Sequence, residues 1–449
     1  MEMTKVCRGC FTEWEHEKKE CPRCGWRPDG KYSKIFNWKL GDVLEKRYLI
    51  GNTFYTSGGG DLVVWRIYDN LLGIPCFLLI KDDDSIETLY CIARSLQTEN
   101  EEEVIVQAIK KIEKRNVLVF SMKNQYMKEA SFEKLLECKT DKREEVIQES
   151  EQIKNKEQVL AAGAWIDNRY KILKCLGIGG FGITYLCEDI YLHRMVTLKE
   201  YFPAEWSERD EDCVVVKQSK LLQAFRYGMQ SFMKEIRITA KFIHTPHIAT
   251  IYDVLKANDT IYMVLKYISG ISIGREMRAR EYKPFAPLEV AEMIFPVLDA
   301  LEEIHDKKII HSDISPGNIM HTEQNDIFLI DMGAAKYNLE SQPLLSAAFL
   351  KIDYAAPEQY RTAKEGIPRS EGPWTDIYAL GATMYYLLTG CKPPDIFSRL
   401  SGKDTDLASA LIGKVSIPWI ELFQKAMTLE STERIQSVAV LRQEMKKIL

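Results

Sequence analysis

Apolar and polar positions alternate with a strand period through much of the chain, and in a few places switch to the helical period. RYKILKC at 169–175, ITYLCEDI at 183–190 and MVTLKEYF at 195–202 each read as strands. SFMKEIRITAKF at 231–242 places its apolar residues three and four apart, which predicts an amphipathic helix. Upstream, residues from about 38 to 137 also alternate apolar runs with polar turns, ending in a helix expected at about 100–114 and a strand NVLVFSM. Between these regions KTDKREEVIQESEQIKNKEQ, residues 139–158, carries both signs of charge and almost no large apolar side chain, the pattern of a solvated helix or tether.

The first two strands of the downstream set are joined by LGIGGFGITYL, with Gly177, Gly179 and Gly182 in G-x-G-x-x-G register and Gly180 and Phe181 between them. Glycines let backbone amides approach phosphate without interference from Cβ. A dinucleotide-binding turn shows the same letters, but it leads into a helix. Here a second strand follows, so the turn reads as a strand-turn-strand phosphate lid. Lys199 comes seventeen residues beyond Gly182, on a β-rich run, placed to pair with the α- and β-phosphates of ATP, and the predicted helix offers Glu235 as its ion-pair partner.

HSDISPGNIM at 311–320 and LIDMGAAK at 329–336 hold Asp313, Asn318 five residues on, and Asp331 before a Gly. These are groups that phosphoryl transfer uses: one to orient a hydroxyl, two to hold Mg2+. Small-molecule phosphotransferases of the aminoglycoside type carry a similar loop. The C-terminal third separates the two. YAAPEQY at 354–360, WTDIYALGATMYYLLTG at 374–390 with Asp376, and Arg434 in ERIQS follow in the order of a eukaryotic-type Ser/Thr protein kinase, which the chain resembles from about Trp165 to its end. The resemblance implies that Lys199 and Glu235 position the nucleotide, that Asp313 orients the accepting hydroxyl, and that Asn318 and Asp331 bind magnesium. It further implies that Leu265 is a gatekeeper, that Lys266, Tyr267 and Ile268 form a hinge meeting adenine, and that Arg434 pairs with Glu358.

Two departures stand in the catalytic loop. The Arg that the family places before the catalytic Asp is Ser312, so activation-loop phosphorylation is not expected to act through that contact. The lysine two residues after the Asp is Ser315, while the activation-segment position that commonly holds a Thr is Lys351. The exchange suggests that Lys351 supplies the missing cation from the other side; the chain is similar to a bacterial subgroup with an Ile-Ser-Pro loop. Met332, in a DMG triplet, fills an apolar slot where Phe is commoner.

Cys7, Cys10, Cys21 and Cys24 form C-x-x-C, ten residues, C-x-x-C, a spacing that predicts a closed tetrahedral zinc site. A redox dithiol is the alternative. A segment this short cannot bury enough apolar surface to fold unaided, and metal is the simplest explanation of its stability. Through residue 35 there are eight Lys/Arg against six Asp/Glu, a net +2 without a basic run, which disfavours nucleic acid and favours docking or regulation. The middle region can be laid against the downstream one: an Arg-Tyr start, a Gly-rich turn at Gly58, Gly59 and Gly60, and a strand ending in Lys81. It reads either as a degenerate kinase small lobe or as an unrelated small α/β module with a chance turn.

The expected architecture is therefore multi-domain α+β: a zinc ribbon at 1–35, a small α/β regulatory module at 36–138, a charged linker at 139–160, and a two-lobed kinase domain at 161–449. At 449 residues, 46% hydrophobic with net charge −5, the chain has ample core. No apolar run reaches a membrane span, and the start of the chain does not read as a signal peptide. Seven of the 11 cysteines lie outside the ribbon and fit a reducing, cytoplasmic setting. The expected function is ATP- and Mg2+-dependent phosphorylation of protein substrates, with a regulatory partner docking on the ribbon or module. A nucleotide-binding pseudokinase scaffold is the alternative reading, and a small-molecule kinase a third.

Overall fold

The computed structural model describes residues 5–7, 11, 13–14, 38, 41–57, 61–82, 84–98, 103–124, 132, 158–332, 351, 353–360, 371–402 and 406–449. Cys10, Cys21, Cys24, Gly58, Gly59, Gly60 and the charged segment up to 157 lie outside them. The chain divides into one unit of residues 1–215 with 251–267 and a second of residues 216–250 with 268–449.

The first unit begins with a short hairpin, β1 (Lys5–Val6) and β2 (Glu13–Trp14), in which Cys7 is buried and its carbonyl accepts from Phe11 N at 2.8 Å. Two six-stranded sheets follow. One contains β3 (Val43–Leu44), β4 (Tyr48–Thr56), β5 (Leu62–Asp69), β6 (Ile74–Lys81), β7 (Val104–Ile112) and β8 (Arg115–Met122), in the order β3-β4-β5-β6-β8-β7. The other contains β9 (Trp165–Ile166), β10 (Tyr170–Ile178), β11 (Gly182–Asp189), β12 (Arg194–Tyr201), β15 (Ile251–Ala257) and β16 (Thr260–Lys266), in the order β9-β10-β11-β12-β16-β15. Both have the same succession, with every neighbouring pair antiparallel. A hairpin, β13 (Ser207–Asp210) with β14 (Cys213–Val216), follows β12.

The registers coincide as well. Tyr48 pairs with Asp69 and Tyr170 with Asp189, and the preceding Arg47 and Arg169 each grip that same aspartate with two nitrogens. In the first sheet Leu79 pairs with Val64; in the second Lys199 pairs with Thr184, the corresponding position. Lys81 therefore stands two residues beyond the register of Lys199, correcting the alignment expected from the sequence. Leu79 is fully buried, on an apolar face where Phe77 stacks on Phe120 and Phe120 on Phe132, with Phe54 against both Phe77 and Phe132.

A helix of this module is α1 (Ile86–Thr98), which buries Leu89, Ala93 and Leu96, and the predicted 100–114 segment is not helical where it is described. That segment is β7, because its β-branched residues pair with β8 along nearly their whole length, and tertiary pairing overrides the weak helical signal of VIVQAIKKI. Among the described residues the module is thus an antiparallel sheet with α1 packed beside it.

A shared carboxylate joins the two sheets. Asp253 on β15 accepts from Arg47 at 2.7 Å and from Lys110 on β7 at 2.9 Å, with Arg169 3.9 Å away. Arg194 donates to the carbonyls of Val106 and Gln107 on β7 at 2.8 and 2.9 Å, and its guanidinium lies 3.6 Å from the centroid of Tyr252. Burial alone would raise the Asp253 carboxyl, but Arg47, Lys110 and Arg169 outweigh it and hold it well below the usual carboxylate range. Burial pushes the Lys110 ammonium down, and the neighbouring Arg47 adds to this.

The second unit is mainly helical. It holds α2 (Leu222–Ala240), α3 (Ile273–Ala279), α4 (Pro287–Asp306), α5 (Pro373–Thr389), α6 (Ile396–Leu400), α7 (Ile417–Ala426) and α8 (Val438–Ile448). A small sheet of β17 (Gly270–Ser272), β18 (Ile319–Thr322) and β19 (Ile327–Leu329) lies beside α3 and α4. From Thr375 to Thr389 every residue of α5 is buried, and α4 presents Ile294, Val297, Leu298 and Leu301 at helical spacing to the same core. Pro at the first position of both helices satisfies the helix start, where an N–H would have no partner.

Asp253→Ala should cost the first unit about 3–5 kcal/mol, because three cations lose the acceptor they share; denaturant unfolding measures this. The sign of the pH dependence follows from the depressed carboxyl. Its stabilisation is present above the unfolded value of about 3.9 and is lost as pH falls towards the folded one. Acid unfolding of the native protein should show this loss, and the variant should lack it.

Candidate active site

The nucleotide-facing candidates of the first unit lie along β10, β11, β12 and β16. β10 ends at Ile178 and β11 begins at Gly182, so Gly179, Gly180 and Phe181 form the turn, closed by Gly179 N donating to Gly182 O at 2.8 Å. A side chain at Gly182 would run into the backbone carbonyl of Glu200, which is why this position must be Gly. The turn is tied to the end of β12 by Phe202 N donating to Phe181 O at 2.9 Å, and the Phe181 ring meets Trp206 edge-on with centroids 5.7 Å apart. Gly177 lies in β10 itself, opposite Thr184.

Along β12 Val196, Leu198 and Glu200 are buried, while Met195, Thr197 and Lys199 alternate with them on the opposite, half-exposed face. Lys199 pairs across the sheet with Thr184 and Met263. Leu265 and Lys266 end β16, and Tyr267 follows; Leu265 is buried and Lys266 exposed. Ile268 opens the next stretch of the second unit and is half-buried. Glu235 is buried on α2 of that unit.

In the second unit the residues between α4 and β18 form a tight loop. Ser312 has φ +66°, a backbone setting uncommon for residues with a side chain. Asp376, fully buried near the start of α5, holds it there: its carboxylate accepts from His311 N at 2.9 Å and Ser312 N at 2.8 Å, and lies 2.8 Å from His305 Nε2. Gln359 Nε2 donates to Ser312 O at 3.0 Å. Burial pushes the His311 imidazole down, keeping it neutral, which matches its Nδ1 accepting from Asp313 N at 3.3 Å.

Within this loop Asn318 Nδ2 donates to the Asp313 carbonyl at 2.8 Å and to its Oδ2 at 2.7 Å. The Asn318 carbonyl accepts from Ile330 N at 2.9 Å, which brings the strand end before Asp331 alongside. Asp331 itself has φ +59°. Lys351 Nζ donates to Ser315 Oγ at 2.8 Å and lies 3.3 Å from Asp313 Oδ2. The Lys351 carbonyl accepts from Tyr354 N and Ala355 N at 2.8 Å, a turn that fixes the base of its side chain. Asp313, Ser315, Asn318 and Lys351 are therefore one cluster.

Glu358 follows in the same segment. Arg434 Nη1 and Nη2 donate to its two oxygens at 2.8 and 3.2 Å, and Thr375 Oγ1 donates to Oε1 at 2.8 Å. Arg434 also donates to the carbonyls of Trp374 and Thr428 and lies over the Tyr378 ring. The pair is buried and bidentate, and with these added bonds the guanidinium is satisfied on several sides.

Sequence reasoning did not assign roles to Gln359, Asp376 or the neutral His311. Gln359 was visible only as the residue after Glu358, and nothing local pairs it with a carbonyl 47 positions away.

A family-model scan matches residues 170–445 to the protein kinase domain. Among curated proteins, the serine/threonine-protein kinase PrkC of Bacillus subtilis (strain 168) is 30% identical over 241 residues, 53% of this chain and 33% of PrkC. Serine/threonine-protein kinase D of Synechocystis sp. (strain ATCC 27184 / PCC 6803 / Kazusa) is 27% identical over 285 residues, 63% of this chain and 52% of that protein. The chain thus spans about a third to a half of these relatives' lengths. Among solved structures, the one titled "PpkA-294 apo form" is 28% identical with a TM-score of 0.57, covering 65% of this chain and 99% of that one.

Arg434→Met should destabilise the second unit by about 3–5 kcal/mol, since it leaves the Glu358 carboxylate buried without its partner. Arg434→Lys should recover only part of this, because an ammonium cannot reproduce the two-pronged contact. Chemical denaturation of both variants tests the ordering.

Proposed function

Because this chain belongs to the protein kinase family, we propose that it is an active ATP-dependent kinase that phosphorylates Ser or Thr of protein substrates. The observation that carries the reading is the cluster of Asp313, Ser315, Asn318 and Lys351. Asp313 would orient the acceptor hydroxyl and take its proton as the hydroxyl oxygen bonds to the γ-phosphorus and the bond to the ADP oxygen breaks. Lys351, at 2.8 Å from Ser315 and 3.3 Å from Asp313, stands where positive charge can meet the transferred group. The lysine missing from position 315 is in this reading replaced from the activation segment.

Asn318 suits magnesium. Its amide nitrogen is committed to Asp313, which turns its oxygen, a donor of the kind hard cations prefer, to the other side; Asp331 would add a carboxylate. Bound there, Mg2+ neutralises phosphate charge. Gly177, Gly179, Gly180, Phe181 and Gly182 would cover the phosphates, Lys199 with Glu235 would hold the nucleotide, and Leu265 to Ile268 would line its adenine end. The scaffold reading is less favoured, since it leaves Lys351 without a purpose.

The N-terminal parts would regulate this domain. Residues 43–122 fit a degenerate small lobe: the strand order and the Arg-Tyr-Asp register support this, while Leu79 stands at the register of Lys199 beside an aromatic stack and so supplies no cation for a phosphate there. The buried Asp253 junction gives the module a physical hold on β15. The four-cysteine ribbon would bind structural zinc: Cys7 is buried at a hairpin turn, as a knuckle ligand would be, and the other three lie outside the described residues. Protein substrates, a regulatory partner on ribbon or module, and a cytoplasmic site of action complete the proposal. Among the described residues no helix is long and apolar enough to cross a membrane.

Two outcomes test this. Phosphate incorporation from Mg-ATP into the protein and into a generic protein substrate should vanish in Asp313→Ala, and fall about 10²–10³-fold in Lys351→Ala with the KM for ATP little changed. Normal transfer by Lys351→Ala would refute its role. Elemental analysis of the purified protein should find zinc that strong chelators remove and that Cys7→Ser lacks.

A further inference from the structure

On the face of β12 opposite Lys199 lies Glu200, a carboxylate with no exposed surface. It accepts from Tyr262 OH at 2.8 Å, from Tyr185 OH at 2.9 Å and from Arg209 Nη2 at 2.7 Å. Arg209, on the β13–β14 hairpin, has a buried side chain; its Nε donates to the Gln158 carbonyl at 2.8 Å and its Nη1 to that of Asp212 at 3.0 Å. Tyr185 OH in turn accepts from Leu160 N at 3.2 Å. The network therefore binds β11, β12, β16, the hairpin and the segment through which the chain enters this sheet.

Such a network is not what this position needs for folding. In the first sheet, Ile80 occupies the register of Glu200 and Trp65 that of Tyr185. Val117 faces Lys110 as Tyr262 faces Leu255, so it takes the place of Tyr262. All three are buried and apolar. The same topology thus closes with a plain hydrophobic patch, and replacing buried ion pairs by apolar groups is often neutral or favourable for stability. The polar version is found in the sheet that carries Lys199, one residue away. What charged hydrogen bonds add over apolar contacts is direction.

We infer that Glu200 is a positioning residue: anchored by Tyr185, Tyr262 and Arg209, it fixes the pleat of β12 and so the aim of Lys199, and couples that aim to residues 158–160. The inference rests on the reading of Lys199 as the phosphate-pairing lysine, so its test includes that residue.

The experiment is titration of the full-length protein with a fluorescent ADP analogue in the presence of Mg2+, reading both the dissociation constant and the number of binding-competent molecules. Glu200→Gln should raise the dissociation constant about tenfold with stoichiometry retained, in keeping with the steep cost of small misplacements in such sites. Tyr262→Phe, which keeps the ring and removes one donor, should shift it the same way by less, and it decides the matter if Glu200→Gln does not fold. Fewer competent molecules with an unchanged constant would make the network merely structural and overturn the inference. If Lys199→Met weakens binding while both network variants bind like the native protein, the inference fails and the Lys199 reading stands. A native constant in Lys199→Met would instead remove the premise, and the inference with it.

Discussion

The loop from His311 to Asn318 exists in its observed shape because one buried carboxylate holds it. Asp376 takes two successive backbone amides, those of His311 and Ser312, at a point where the chain adopts a left-handed turn that a serine does not favour by itself. Burying a carboxylate is costly unless its oxygens are satisfied, and here the loop's own amides together with His305 do so. The dependence is mutual: the turn is stabilised by the carboxylate, and the carboxylate is tolerated because of the turn. Asp376 lies on a helix whose residues from Thr375 to Thr389 are all buried, so the loop inherits the rigidity of the core.

From that anchor outward the cluster builds in short steps. Asn318 bonds to Asp313 from within the same loop. Lys351 arrives from a segment fixed farther along by Glu358 and Arg434, while Gln359 of that segment reaches back to Ser312. One arginine near the C-terminus thus helps to set where a lysine some eighty residues earlier can reach. This is the protein-kinase fold of two-lobed α+β architecture.

Much of this was legible in the sequence because it is local. The glycine turn and the Asp313 to Asn318 spacing are each contained in one short stretch, whereas the contact of Ser315 with Lys351 spans 36 positions. What escaped is settled by pairing between distant strands. The segment at 104–112 has a mixed apolar pattern that suits either helix or strand, and β8 decides it. Lys81 looked like the counterpart of Lys199 because both end a strand in lysine, whereas register, fixed by Val64 and Thr184, separates them by two residues. Glu200 was equally hidden: in a strand reading it is one more polar position, and its contacts with Tyr185, Tyr262 and Arg209 appear only in the fold.

The Asp253 junction has a consequence for how this protein responds to its own abundance. Arg47 and Lys110 come from the same polypeptide as the aspartate they grip, so the docking of one sheet on the other is a first-order event whose completeness is set by chain connectivity, not by concentration. A surface closed in this way is as well covered in a single molecule as in a crowded population.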